Sequence, residues 1–272
     1  MLKVNNLVGW GGGDGPRSLL TIIQRLGLTT NLQCVVDPGV SASYSGSGQN
    51  LVDINGADDL YLGTGSGVDA ADPTFTGTAG DLSDSTYFTC DSGDGFRWQS
   101  QPTWAETFHK DSAVLTLLFV VYRPSNTRFD LFGNNGGNSA NIGCFTGLSS
   151  FGGEELSWFV TDVGTALNAQ STANYTTTGW RFFMISVDEA AGAGGSFFYG
   201  DGAEETFDAT YATPSAANAT YTTELMLSGN GASSHADGCL MGPWAAWSGT
   251  ALTAANADSL LVQLKHRFTT LG

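Results

Sequence analysis

The sequence predicts an all-β sandwich, and three observations lead to that fold class. Short runs of apolar and β-branched residues recur along the chain, separated by clusters of Gly, Asn, Ser and Asp that are typical of turns. The 37 glycines are dispersed without a period, so they indicate turns rather than a fibrous repeat. Helical spacing of apolar residues appears near residues 16–26 and 254–267, which predicts two short helices at the ends of the sandwich.

The first 31 residues differ from the rest, and they predict a short helical arm. Gly11, Gly12 and Gly13 form a flexible hinge, and Pro16 is a favoured first helical residue. A helix that stops at Gly27 then carries its apolar residues on one face: Leu19, Leu20, Ile22, Ile23 and Leu26. This face either packs against the sandwich of its own chain or docks on a partner subunit through Leu19, Ile22, Ile23 and Leu26. The domain boundaries predicted here are 1–31 for the arm and 32–272 for the sandwich.

From residue 32 onwards the chain predicts strand after strand, as in a β-sandwich. The nearly all-apolar segments 113–122 and 180–188 are predicted to be central strands. A final helix is predicted with Thr253 as N-cap and with Lys265, His266 and Arg267 near its C-terminal end, where they suit the helix dipole. The predicted strands are 32–36, 59–63, 85–90, 94–98, 113–122, 128–132, 142–147, 155–161, 180–188, 195–200, 204–208, 221–228 and 239–248.

Two segments resemble a known family. An apolar strand runs into Asp37, then the turn Ser43-Tyr44-Ser45-Gly46-Ser47-Gly48, then a second short strand with Asp53. Later, Thr178-Gly179-Trp180 opens an apolar strand, and a Gly-rich turn leads to a strand ending in Tyr199-Gly200-Asp201-Gly202. In this order the motifs resemble the concanavalin A-like, LamG-type jelly rolls found in structural proteins of tailed bacteriophages, over about residues 32–268. Leu51 stands where that family usually has Trp.

The resemblance implies a concanavalin A-like jelly-roll β-sandwich and a non-enzymatic virion structural protein. The expected role is a capsid decoration protein or a tail or fibre component with a lectin-like outward domain. The implied partners are other virion proteins, the implied state is a homo-oligomer, and the expected location is the virion. Two alternatives from other classes stay open, a glycan-binding module for host-surface adhesion and a carbohydrate-active hydrolase.

Charge and cysteine usage exclude several functions. The net charge is −16, and no Lys or Arg occurs between Arg25 and Arg97 or between Arg181 and Lys265. Binding to nucleic acid or to an anionic membrane is therefore not expected, because both need clustered basic residues. The N-terminus has no secretory signal, so synthesis in a reducing host cytoplasm is expected. The four widely spaced cysteines are then predicted to be buried thiols rather than zinc ligands or a disulfide framework: Cys34, Cys90, Cys144 and Cys239.

Candidate chemical sites are few. The paired carboxylates Glu154-Glu155 and Glu204-Glu205 are adjacent in sequence and therefore point to opposite faces of a strand, so no catalytic residues are predicted. Two tryptophans three apart on one strand, Trp244 and Trp247, also face opposite ways, which leaves one of them as a candidate glycan contact. No cofactor is expected, although the turn aspartates leave a Ca²⁺ site as an alternative. The histidines His109, His235 and His266 show no metal-binding spacing.

Overall fold

The computed structural model describes residues 15–56, 58–91, 93–110, 112–124, 129–133, 143–149, 155–161, 165–205, 207–211, 226–227 and 238–271. The helices are α1 Leu19–Arg25 and α2 Ala254–Leu264. The strands are β1 Leu32–Val36, β2 Asn50–Leu51, β3 Leu60–Leu62, β4 Thr74–Thr76, β5 Tyr87–Cys90, β6 Phe96–Trp98, β7 Val114–Arg123, β8 Phe129–Gly133, β9 Gly143–Ser149, β10 Glu155–Thr161, β11 Thr165–Asn174, β12 Gly179–Asp188, β13 Phe197–Gly200, β14 Ala203–Glu205, β15 Phe207–Tyr211, β16 Met226–Leu227 and β17 Cys239–Ser248.

Two antiparallel sheets stack face to face, which confirms the predicted all-β jelly-roll sandwich. Sheet A has the strand order β14-β13-β12-β7-β17-β5-β4, and β1 pairs with another part of β17. Sheet B has the order β15-β11-β10-β9-β8-β16-β6-β3-β2. The predicted hairpin turn at Asp201 and Gly202 joins β13 to β14, and both residues have the positive φ that such a turn requires.

One hydrophobic core lies between the two sheets. It takes alternate residues from the strands of both sheets, including Phe88 and Trp244 from sheet A and Leu60, Trp98 and Trp158 from sheet B. The conspicuous Tyr-Ser-Gly-Ser-Gly turn belongs to this core, because the ring of Tyr44 packs 4.9 Å from that of Phe88. The hydroxyl of Tyr44 donates a hydrogen bond to the carbonyl oxygen of Gly48, so the same side chain both packs in the core and holds the turn.

A second core lies on the other face of sheet A, where both helices pack. Leu19, Ile22 and Ile23 of α1 are at most 1% exposed, and Leu26 just after the helix is half-buried. The sequence left two roles open for the apolar face of this helix, and the structure shows that it packs against the sandwich of its own chain. The expected docking face is corrected accordingly, because its three central side chains have no surface left for a partner. The hinge at residues 11–13 lies outside the described residues.

The helix layer explains why two strands of sheet A are apolar along both faces. β7 and β12 run side by side with ten residues each, and their alternate side chains enter the inter-sheet core and the helix-covered core. Phe119 and Phe183 face sheet B, whereas Leu118 and Phe182 face the helices. A strand buried on both faces has no polar side, and this is the pattern from which the two segments were predicted to be central.

A buried ion pair fastens the helix layer to the sheet. Nη1 of Arg267, just beyond α2, donates to both carboxylate oxygens of Asp37 at 2.7 and 2.9 Å, and both side chains are 0% exposed. Asp37 also accepts the N–H of Leu19 at the start of α1 and the N–H of Gly39. Arg267 was predicted to complement the helix dipole, and the structure corrects this, because its charge is neutralised by Asp37.

The start of α2 is as predicted, whereas α1 starts later than predicted. Thr253 is the N-cap of α2, and its hydroxyl and the side chain of Asn256 form a reciprocal capping box. Helix α1 begins at Leu19 rather than near Pro16, because Ser18 is its N-cap and accepts the N–H of Thr21. Strands β4 and β11 were not predicted, and the predicted strand 204–208 overlaps two strands of the structure, β14 and β15.

Replacing Arg267 by alanine is expected to destabilise the fold strongly. The substitution leaves the Asp37 carboxylate buried without its counter-charge, which typically costs about 3–5 kcal/mol. Urea unfolding followed by tryptophan fluorescence measures the change in the free energy of unfolding.

The exposed Arg25 on α1 provides the matched control for that experiment. Arg25→Ala is expected to change the free energy of unfolding by no more than about 0.5 kcal/mol. The double variant Asp37→Ala/Arg267→Ala is expected to lose less than the sum of the two single variants, since neither charge is then stranded. Equal effects of Arg267→Ala and Arg25→Ala would contradict this role of the ion pair.

Candidate functional site

The two tryptophans predicted as glycan contacts are both enclosed. Trp244 and Trp247 do point to opposite faces of β17, as their spacing predicts, but each is 0% exposed. Trp244 lies in the inter-sheet core, and Trp247 lies under the helices with its indole N–H donating to the carbonyl oxygen of Leu28 at 2.8 Å. The expected glycan contact is thus corrected, because the face of β17 that would have met solvent is covered by the helix layer.

The turn aspartates mostly bond to the backbone of their own loops. Asp53 is buried and accepts N–H groups from Val35 and Asn55 at 2.9 Å, and burial raises the pKa of its carboxyl despite these donors. The hydrogen bond from the hydroxyl of Thr64 lowers the pKa of Asp69. Within the residues described above, no group of three His, Cys, Asp or Glu side chains is placed to hold a metal ion.

The histidines and paired carboxylates do not assemble into a site in the described part of the chain. His109 is buried, and His266 is exposed after α2, while His235 and Glu154 lie outside the described residues. Glu204 and Glu205 are consecutive on β14 at the edge of sheet A. The described helices include none that is long and apolar enough to cross a membrane.

A row of polar and aromatic side chains follows one end of sheet B on its outer face, the face turned away from the inter-sheet core. On β3, Leu60 and Leu62 point into that core, so Tyr61 between them points outward. Tyr61 lies directly opposite Asn50 of β2 on one side and Arg97 of β6 on the other. The alternation Phe96-Arg97-Trp98 likewise turns Arg97 outward. Together with Gln99, these residues are called the polar strip: Asn50, Tyr61, Arg97 and Gln99.

Hydrogen bonds orient the polar strip. Nε2 of Gln99, just after β6, donates to Oδ1 of Asn50 on β2 at 3.2 Å, across the intervening strand β3. Nη1 of Arg97 donates to the carbonyl oxygen of Thr64 at 3.2 Å, which holds the guanidinium beside the end of β3. Asn50 and Gln99 are exposed, whereas Tyr61 and Arg97 are half-buried. The strip therefore presents a phenol ring flanked by a guanidinium and two amides.

Such a set of groups suits a neutral, hydroxyl-rich ligand. An aromatic ring offers apolar area at low entropic cost, while amides and a guanidinium are planar donors and acceptors that can meet adjacent hydroxyls. Sequence reasoning placed Tyr61 and Arg97 in strands but did not single them out. The signal was the alternation of apolar and polar residues in both strands, but which polar positions become neighbours depends on strand register, which the sequence does not show.

No family model and no curated protein matches this chain. Among solved structures, the chain is similar to domain 4 of AbnA, a GH43 extracellular arabinanase from Geobacillus stearothermophilus, in complex with arabinotriose. That match has a TM-score of 0.54 and 13% identity, and it covers 85% of this chain and 98% of that one. At this identity the likeness shows only a shared fold, a β-sandwich.

Two weaker likenesses are to sialidase structures. The CBM40 of Ruminococcus gnavus IT-sialidase, bound to α2,6-sialyllactose, gives a TM-score of 0.44 at 10% identity and covers 64% of this chain and 95% of that one. A mutant Trypanosoma rangeli sialidase displaying trans-sialidase activity gives a TM-score of 0.49 at 11% identity. It covers 87% of this chain, which spans 33% of that protein. Both are too distant to bear on fold or function.

Proposed function

We propose that this protein is a non-enzymatic, lectin-like domain that binds glycans through the polar strip of sheet B. The observation that carries the proposal is the cross-strand register, which sets Tyr61 between Asn50 and Arg97 on an outward face. The ring of Tyr61 stacks against the C–H face of a sugar, and the flanking guanidinium and amides bond to its hydroxyls. The shared fold with an arabinanase domain that was solved with arabinotriose supports this proposal.

The absence of catalysis is part of the proposal. Glycoside hydrolysis ordinarily needs two carboxyl groups flanking the scissile bond, about 5–9.5 Å apart. The four side chains of the polar strip include no carboxylate. Glu204 and Glu205 lie on the other sheet, and as consecutive residues of β14 they point to opposite faces. The strip therefore holds a sugar without the acid and base that would cleave it.

The setting we propose for this domain is the surface of a tailed-phage virion, as a capsid decoration protein or a tail or fibre component. Support comes from the resemblance of residues 37–53 and 178–202 to LamG-type phage structural proteins. Charged residues make up only 13% of the chain, which suits a protein packed among neighbouring subunits. A homo-oligomer with several polar strips facing outward would bind surface glycans by avidity, although each strip binds weakly.

A glycan array probed with the purified protein, followed by calorimetric titration of the best hit and of arabinotriose, tests the binding proposal. Tyr61→Ala is expected to weaken binding at least about tenfold, since truncating a central aromatic contact commonly costs more than roughly 1.4 kcal/mol. Arg97→Ala is expected to act in the same direction because it removes the donors beside the ring.

Tyr87→Ala is the matched control, because Tyr87 is a half-buried tyrosine on the helix-covered face of sheet A. It removes the same atoms as Tyr61→Ala and is expected to leave binding unchanged. Thermal unfolding of each variant shows that the sandwich is intact. An array without any glycan signal would refute glycan binding, and equal binding by Tyr61→Ala and wild type would refute the polar strip as its site.

The virion setting is tested by immunogold electron microscopy of purified particles, which should label either the capsid or the tail. Unlabelled particles would refute the setting.

A further inference from the structure

Two of the four cysteines face each other across neighbouring strands. Cys90 of β5 and Cys239 of β17 are directly opposite in the antiparallel register. Both side chains are 0% exposed, and both point into the inter-sheet core together with Phe88 and Met241. In the structure all four cysteines are buried thiols.

The register places the backbones of these two residues within the separation that a disulfide spans. Directly opposite residues on antiparallel strands have Cα atoms about 4.5–5.5 Å apart, inside the range of about 4.4–6.8 Å that disulfides span. The two thiols are near enough to influence each other, since the thiol of Cys90, after burial, contributes to raising the pKa of Cys239. With Cα atoms in that range, an S–S bond can close by rotation about the side-chain bonds while the strands keep their register.

The register gives the other two cysteines cross-strand partners that are not cysteines. Cys34 lies opposite Ala246 on β17, and Cys144 lies opposite Val160 on β10. β1 belongs to sheet A and β9 to sheet B, so Cys34 and Cys144 are not cross-strand neighbours of each other. Register thus selects one pair among the four cysteines, which their spacing in the sequence could not do.

We propose that Cys90 and Cys239 form a cross-strand disulfide when the protein meets a small-molecule disulfide such as oxidised glutathione. The thiolate of one cysteine attacks the small disulfide, which releases one small thiol and leaves a mixed disulfide. The thiolate of the other cysteine then attacks the protein sulfur of that mixed disulfide and releases the second small thiol. The two protein sulfurs lose two electrons in total, and the small disulfide gains them together with two protons.

Access is controlled by the strand ends on which the pair lies. Cys90 is the last residue of β5 and Cys239 is the first residue of β17, so local fraying of these ends opens the pair without unfolding the sheet. Burial raises the pKa of the Cys239 thiol well above its usual value. Little reactive thiolate is present in the native state, and oxidation is therefore slow and accelerates as the pH rises.

The disulfide would fasten one side of sheet A. It links β17, which also pairs with β7 and β1, to β5 and its edge partner β4. The bond closes a loop from residue 90 to residue 239 and so restricts the unfolded chain. A protein made with reduced thiols would in this way become more stable after release into an oxidising medium.

The test uses the full chain, purified under reducing conditions and then incubated at pH 8 with oxidised glutathione. The four thiols titrated in denaturant before oxidation should fall to two. Peptide mapping by mass spectrometry should join the peptides containing Cys90 and Cys239. The melting temperature should rise by about 5–15 °C and return to its starting value on reduction.

Matched variants separate this pair from the other cysteines. Cys34→Ala and Cys144→Ala should still gain the link and the rise in melting temperature, whereas Cys90→Ala and Cys239→Ala should gain neither. If the substitutions impair folding, mapping of the wild-type protein after refolding with glutathione decides the question. Four thiols remaining after that refolding, a link that involves Cys34 or Cys144, or a lower melting temperature of the linked protein would each overturn the proposal.

Discussion

The layered architecture depends on the buried ion pair between Asp37 and Arg267. Its two residues stand near opposite ends of the described chain, and both are fully enclosed. Removing two charges from water is costly, and here additional hydrogen bonds offset that cost. Asp37 accepts N–H groups from Leu19 and Gly39, and Nε of Arg267 donates to the carbonyl oxygen of Ser83. The start of α1, the end of β1, the loop after it and the end of α2 therefore meet at one point.

Gly39 is required there, because a Cβ atom would lie 2.4 Å from Nη2 of Arg267.

This point of attachment gives the two sheets different outer surroundings, because the helices cover sheet A. Once the helices are held down, the outer face of sheet A is closed, and β7, β12 and β17 are buried on both sides. Tryptophans that would otherwise meet solvent, such as Trp247, become core residues. On sheet B the strands β2, β3 and β6 keep the alternation of apolar inward and polar outward residues. The polar strip therefore lies on strands whose opposite face is packed in the inter-sheet core, which suits a binding surface.

Features of the fold that depend on a few consecutive residues could be predicted from the sequence, and features that depend on distant contacts could not. The turn at Asp201 and Gly202, the cap at Thr253 and the central strands are specified by a few consecutive residues, and the structure contains them all. Strand β11 was not predicted, because its residues, Thr165–Asn174, are mostly small and polar and lack a clear apolar alternation. The position of Trp247, the partner of Arg267 and the polar strip all depend on contacts between segments far apart in sequence. No local pattern encodes those contacts.

Hydrogen exchange followed by mass spectrometry tests most directly whether α1 is a fixed part of the sandwich. A seven-residue helix is not stable alone, so its protection has to come from packing. We expect the amides of α1 in the wild-type protein to exchange nearly as slowly as those of β7. In Arg267→Ala, protection should fall in α1 and in residues 37–44, while β3 and β6 keep theirs. Rapid exchange of α1 in the wild-type protein, at the rate of an unfolded peptide, would contradict the account.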